Sequence, residues 1–134
     1  MLPPLYIAYR RDLSQISGVY HSNLRQRWEE GDPTVVEAMK EFAAITEAGR
    51  TCLLSGDKRG FSELMDRNFN LRAQLVKLDP ANVEMIELAR SFGVSAKYAG
   101  SGGAIVGVCE DDQTFEQMRE AFELKGCEVF RPRI

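Results

Sequence analysis

Hydrophobic positions recur every three or four residues through the middle of this chain, a period typical of helices with one apolar face. Asp32-Pro33 and Asp79-Pro80 each provide an N-cap followed by a proline in the first turn, where its missing N–H costs no hydrogen bond. Gly56-Asp57 ends the first helix and caps the second, and Gly93 suits the left-handed end of the third. The sequence therefore predicts three consecutive helices between residues 33 and 93.

Each of these helices has a predicted inner face. The faces comprise Val35, Met39, Phe42, Thr46, Gly49 and Leu53 in the first helix, Phe61, Leu64, Asn68, Leu71 and Leu75 in the second, and Val83, Ile86 and Ala89 in the third. Gly49 lies within its stripe, and an interior glycine costs on the order of 1 kcal/mol relative to alanine. It therefore indicates either a close helix contact or a slight break.

The remaining segments alternate between extended and helical patterns. Strands are predicted at Leu5–Tyr9, Ser95–Ala99, Ala104–Cys109 and Cys127–Pro132, and further helices at about Gly18–Glu30, with Val19, Leu24 and Trp28, and at Asp111–Lys125, with Phe115, Met118 and Phe122 inward. The prolines before Leu5 are typical of an edge strand. This order predicts a single α+β domain over residues 1–134, with helices packed on one face of a small antiparallel sheet.

The composition limits the classes of partner and the cellular compartment that fit this chain. A net charge of −3 without a basic stripe argues against nucleic acid as a partner. Cys52, Cys109 and Cys127 lack metal-site spacing and leave one unpaired in any disulfide scheme, so we expect small buried apolar residues in a reducing compartment. The amino terminus does not resemble a signal peptide, and no apolar run reaches the roughly 20 residues needed to span a bilayer. We therefore expect a cytoplasmic protein without a membrane partner.

The glycine-rich turn in K-Y-A-G-S-G-G-A (Lys97–Ala104) is the first candidate site. Glycine reaches positive φ and lets backbone N–H groups approach an anion, but the same residues also build ordinary hairpin turns. Lys97 is either a ligand for an anion or a solvated surface group, and Ser101 either donates to a phosphate oxygen or fills a turn position. Spacing alone leaves both interpretations open.

Two further clusters contain polar groups on helices. Asn68 and Arg72 are four residues apart, so the amide either caps backbone groups inside the core or faces a cleft. Arg25 either meets an anionic substrate or pairs with a surface acid such as Glu29, and His21 is interpreted as a helix-start residue. No catalytic residue and no metal ligand is predicted in this chain.

Two of these segments resemble motifs of the GHMP small-molecule kinases. K-Y-A-G-S-G-G-A is similar to their third signature, K-x-T-G-x-G-G-G, with Ala99 in place of threonine and Ala104 in place of the last glycine. L-M-D-R-N-F-N-L-R (Leu64–Arg72) resembles the helix that precedes this signature in the family. Within the superfamily the chain resembles the plant-type glucuronokinases, through the segments L-P-P-L-Y (Leu2–Tyr6), H-S-N-L-R-Q-R-W (His21–Trp28) and G-R-T-C-L-L (Gly49–Leu54).

The resemblance implies the ferredoxin-like carboxyl-terminal domain of an ATP-dependent sugar kinase that makes glucuronate 1-phosphate. It places a loop beside the ATP phosphates, comprising Lys97, Gly100, Ser101, Gly102 and Gly103. It also makes Asn68, Arg72 and Arg25 candidates for binding a sugar acid, since an arginine fork suits a carboxylate.

In this superfamily the phosphate loop P-x-x-x-G-L-G-S-S-A, the catalytic acid and the metal ligands lie in the amino-terminal domain. The similarity begins at Leu2 with the first strand, so we expect a fragment that lacks that domain and is inactive alone. ATP and Mg²⁺ would serve the complete enzyme, and this chain alone would hold neither. We further expect the apolar face left uncovered to cause self-association.

The alternative is a free-standing α+β module that derives from such a kinase and binds a small ligand or a protein. Fold alone does not separate the two.

Overall fold

The structure is a computed structural model that describes residues 2–11 and 23–133. Within these residues the strands are β1 (Leu5–Arg10), β2 (Lys97–Tyr98), β3 (Ala104–Val108) and β4 (Cys127–Phe130), and the helices are α1 (Leu24–Glu29), α2 (Pro33–Ser55), α3 (Lys58–Leu75), α4 (Pro80–Ser91) and α5 (Asp112–Leu124). All strand pairs are antiparallel, in the order β2-β3-β1-β4. The α+β prediction is confirmed.

β1 is an interior strand, so the predicted edge position is wrong. Ile7 is opposite Val106 of β3 on one side and Phe130 of β4 on the other. The prolines do not interrupt either ladder because pairing begins at Leu5, after them. The carbonyl of Pro4 even continues the β3 side, since it accepts a hydrogen bond from the N–H of Cys109 at 2.9 Å.

The helices cover one face of the sheet. Alternate strand residues point into the core, and the buried set includes Tyr6, Ala8, Tyr98, Ile105, Cys127 and Val129. Their neighbours on the opposite face, such as Ile7 and Val106, are only half-buried, and Phe130 is 43% exposed. The open face is therefore partly apolar, and the self-association expected from it stays a prediction.

Aspartate caps start four of the described helices, three of them at the predicted caps Asp32, Asp57 and Asp79. The side chains of Asp32, Asp57, Asp79 and Asp111 accept hydrogen bonds from the backbone N–H groups of Thr34, Gly60, Ala81 and Thr114. These bonds satisfy donors that a helix cannot pair internally.

α3 has two buried sides, whereas the sequence predicted one. Phe69 packs in the main core beneath the sheet, while Leu71 and Leu75 join a smaller cluster with Val35 and Ala38 of α2. Leu71 and Leu75 of the predicted stripe face α2, and the prediction missed Met65 and Phe69, which are also buried. A helix enclosed between a sheet and another helix needs apolar residues on both sides.

α2 is continuous across Gly49, so the helix has no break there, and Gly49 is buried without the close approach that only glycine allows. A Cβ built at Gly49 would lie 3.7 Å from the Phe61 ring of α3, an ordinary contact distance. Thr46 is exposed, contrary to prediction, and its hydroxyl donates to the carbonyl of Phe42 at 3.0 Å, while Ile45 is buried in its place.

α1 spans Leu24–Glu29, inside the predicted range of about Gly18–Glu30. Val19 and His21, which belonged to the predicted helix and its start, lie outside the residues that the structure describes. Cys109 and Cys127 are buried as predicted, but Cys52 is only half-buried beside Asp57. Among residues 2–11 and 23–133, no helix is long and apolar enough to cross a bilayer.

Candidate functional site

The glycine loop connects β2 to β3 in a conformation that its glycines make accessible. Gly100, Gly102 and Gly103 have φ values of 91°, 134° and 81°, which L side chains rarely adopt. The N–H of Ala99 donates to the carbonyl of Ala104 at 2.9 Å and closes the base of the loop. The predicted hairpin is confirmed.

Hydrogen bonds hold this loop by its carbonyl oxygens. The Gly100 carbonyl accepts from Nη1 of Arg72 at 2.9 Å, and the Gly103 carbonyl accepts from the backbone N–H of Arg10 at 3.0 Å. Within the described part of the chain, no hydrogen bond uses the backbone N–H groups of residues 100–103. The loop therefore offers several donors, which is the arrangement that an anion requires.

A buried polar network supports the loop from the start of α4. The side chain of Asn82 is almost fully buried, and its Oδ1 accepts from Nη1 of Arg10 at 3.3 Å. The same Arg10 nitrogen lies 3.4 Å from Oδ2 of Asp79, the N-cap of α4. A Cβ on Gly102 would lie 2.8 Å from Nδ2 of Asn82, so glycine is needed there for space as well as for φ.

Two cations lie beside the loop. Lys97 donates from Nζ to the carbonyl of Tyr98 at 2.8 Å, and burial, followed by the charge of Arg72, lowers the pKa of Lys97. Among the residues that the structure describes, neither Lys97 nor Arg72 has a carboxylate partner. No carboxylate of the described residues therefore neutralises these two positive charges.

Tyr98 lies between the helix α3 and the loop. The centroid of its ring is 5.2 Å from the centroid of the Phe69 ring. On the same Tyr98 ring, the guanidinium carbon of Arg72 lies 5.0 Å from the centroid and makes a cation–π interaction. Burial raises the pKa of Tyr98 to about 12. Its hydroxyl is buried without a hydrogen-bond partner among the described residues.

The structure brings together some of the predicted site residues and not others. Arg72 contacts the loop at the Gly100 carbonyl, and Lys97 donates to the Tyr98 carbonyl on the strand that leads into the loop. Asn68 lies one turn before Arg72 on α3 and is half-buried. Arg25 is 91% exposed and pairs with Glu29 at 3.1 Å, which is the alternative that the sequence left open.

Sequence reasoning missed three residues that shape the site, Arg10, Asp79 in its second role and Asn82. It also missed the close packing of Gly107 in β3. A Cβ on Gly107 would lie 1.8 Å from the carbonyl oxygen of Ser95 and 2.7 Å from the Tyr6 ring. A glycine inside a predicted strand is itself a sign of close backbone approach, so Gly107 could have been found. Arg10 and Asn82 carry no such sign, because their contact joins segments 72 residues apart.

The chain is similar to known kinase sequences. The family described as GHMP kinases C terminal matches residues 39–127. Two relatives from Arabidopsis thaliana, a probable glucuronokinase 2 and glucuronokinase 1, are 44% and 42% identical over 114 residues. These alignments cover 83% of this chain and 31% of each relative, so the chain spans about a third of the length of the curated relatives it matches.

Solved structures share the fold at low sequence identity. The L. major mevalonate kinase, in complex with R-mevalonate, matches with a TM-score of 0.80 at 16% identity. The matched region is 98% of this chain and 42% of the mevalonate kinase chain. The Streptococcus pneumoniae phosphomevalonate kinase has a TM-score of 0.73 at 16% identity, covering 100% and 41%. The Lactococcus lactis galactokinase, complexed with galactose, has a TM-score of 0.62 at 16% identity, covering 98% and 45%.

Proposed function

We propose that this chain, which belongs to the GHMP kinases and carries their C-terminal domain, is part of an ATP-dependent sugar kinase. The product of that kinase would be glucuronate 1-phosphate. The choice of glucuronate is supported by the identity of 44% and 42% to the two glucuronokinases. Because the chain spans only 31% of either relative, the activity is proposed for a longer protein in which an amino-terminal kinase domain is its partner.

The glycine loop is the observation that carries this proposal. Its carbonyls are held by Arg72 and Arg10, while the N–H groups of residues 100–103 are not used by the described residues. We assign Gly100, Ser101, Gly102 and Gly103, together with Lys97, to the phosphates of bound ATP. Backbone donors and a nearby cation are a suitable combination for a phosphate group.

The sugar acid would lie on the side of α3. Asn68 is the first candidate, because its amide is half-buried on the helix that also carries Arg72. Arg25 remains a candidate only if glucuronate displaces its surface pair with Glu29, which is a weak interaction. Arg72 was expected to bind the carboxylate as well, but its hydrogen bond to the Gly100 carbonyl supports a role in the loop instead.

In the proposed reaction the anomeric hydroxyl oxygen of glucuronate attacks the γ-phosphorus of ATP. The bond from that phosphorus to the β,γ-bridging oxygen breaks, ADP leaves, and the hydroxyl proton passes to a base. Among the described residues there is no cluster of His, Cys, Asp and Glu that suits a metal ion. We therefore propose that the rest of the enzyme holds Mg²⁺ and the base, and that this chain closes the site over the nucleotide.

The expected cellular setting is a reducing one. The three cysteines are free, and none of them is part of a disulfide. This supports our proposal of a cytoplasmic enzyme.

A phosphorylation screen tests the function. The full-length parent protein is incubated with ATP and Mg²⁺ and with glucuronate, galacturonate, glucose or galactose, and sugar phosphate is quantified. We expect glucuronate to be the preferred substrate and the 134-residue chain alone to be inactive. Turnover of a neutral sugar in preference to glucuronate would refute the substrate, and phosphorylation by the isolated chain would refute the division of labour between domains.

A further inference from the structure

Arg72, in the last turn of α3, contacts the end of the glycine loop that is next to β2. Its Nη1 donates to the Gly100 carbonyl at 2.9 Å, across 28 residues of sequence. Its guanidinium carbon also lies 5.0 Å from the centroid of the Tyr98 ring, which is part of the strand that leads into the loop. One side chain thus contacts both the loop and its supporting strand.

The bond to Gly100 fixes the orientation of a peptide unit as well as a distance. In a trans peptide the C=O and the following N–H point in opposite directions, and residues 2–11 and 23–133 contain no cis peptide bond. While Arg72 holds the Gly100 carbonyl, the N–H of Ser101 must therefore point away from Arg72. Gly100, at φ 91° and exposed, has little else to prevent this peptide from rotating.

The other side of the loop is held by different groups. The Arg10 N–H binds the Gly103 carbonyl, and Asn82 packs against Gly102. These contacts hold Gly102 and Gly103, at the end of the loop next to β3. At the other end, next to β2, the Gly100 carbonyl is held by the side chain of Arg72.

Resting on the proposed function, we infer that Arg72 is a positioning residue for phosphoryl transfer: it orients the Gly100–Ser101 peptide so that the loop presents its N–H groups to ATP. It acts through the loop and is not a ligand of the sugar carboxylate. A planar guanidinium can stack on Tyr98 and donate to Gly100 at once, and a lysine ammonium cannot reproduce that geometry.

The test compares Arg72→Gln and Arg72→Lys with Arg67→Gln. Arg67 lies on the same helix and pairs with Glu41 on the exposed surface at 3.2 Å, so its substitution changes the charge equally without touching the loop. In the 134-residue chain, amide hydrogen exchange of residues 100–103 is measured by mass spectrometry. In the full-length kinase, kcat and the KM for glucuronate are measured.

We expect both Arg72 variants to accelerate exchange in the loop and to lower kcat by about 10-fold to 100-fold, as expected for losing a hydrogen bond from a charged donor. The KM for glucuronate should stay within about 3-fold of wild type, since the carboxylate is bound elsewhere. Arg67→Gln should match wild type in both measurements.

Three outcomes would overturn the inference: unchanged loop exchange in both variants, a large rise in the KM for glucuronate with kcat preserved, or full rescue by Arg72→Lys. Absence of any kinase activity in the wild-type parent would instead refute the proposed function, and the exchange data would still decide whether Arg72 orders the loop.

Discussion

At the scale of single residues, the glycines of this chain differ in what they tolerate. Gly107 faces the Ser95 carbonyl, and a Cβ there would lie 1.8 Å from that oxygen. Gly49 lies inside α2, and a Cβ there would meet the Phe61 ring at 3.7 Å, which is normal packing. Gly107 is therefore required by space, whereas Gly49 is not.

Alanine at these two positions should have opposite effects on stability. We expect Gly107→Ala to lower the free energy of unfolding by about 3 kcal/mol, because β3 and the Ser95 backbone must separate. Gly49→Ala should raise it by about 0.5 to 1 kcal/mol through helix propensity. Urea titration followed by circular dichroism measures both, and a Gly107→Ala protein as stable as wild type would contradict the described packing.

At the scale of secondary structure, Asp79 belongs to both a helix and the site. It caps α4 through the N–H of Ala81 at 3.0 Å, and it lies 3.4 Å from Nη1 of Arg10, which supports the loop. The two roles are separable because asparagine can cap a helix but carries no charge.

We therefore expect Asp79→Ala to lower the free energy of unfolding by about 2 kcal/mol, since both the cap and the partner of a mostly buried arginine are lost. Asp79→Asn should cost about 1 kcal/mol or less because the cap survives. Chemical denaturation compares the variants, and equal losses in both would show that the cap contributes nothing.

The helices and strands of this fold could be predicted largely from local signals. The caps at Asp32 and Asp79 and the stops at Gly56 and Gly93 are encoded within a few residues, and the structure has them as predicted. The interior position of β1 could not be predicted, because strand order depends on segments that are about 100 residues apart. The two-sided burial of α3 was missed for the same reason.

The site was predictable in part. The loop was visible in the sequence because three of residues 100–103 are glycines, and the structure gives all three a positive φ. The carbonyl contacts from Arg72 and Arg10, and the packing of Asn82 on Gly102, depend on tertiary structure and have no local pattern. Sequence therefore predicted the position of the loop, and the structure adds the groups that contact it.

At the scale of the whole molecule, helices cover one face of the sheet, α2 packs on the far side of α3, and the candidate loop is the β2-β3 connection. Its relatives are about three times as long, so the proposed kinase depends on an interface that this chain shares with a partner domain. The central claim is that the loop N–H groups bind the phosphates of ATP in that assembly.

Amide hydrogen exchange of the full-length kinase, with and without a non-hydrolysable ATP analogue and Mg²⁺, tests this claim most directly. The account predicts that the analogue slows exchange at residues 100–103 and leaves the distant Gly56 turn between α2 and α3 unchanged. Unchanged exchange at residues 100–103 under conditions where calorimetry shows saturated nucleotide binding would contradict it.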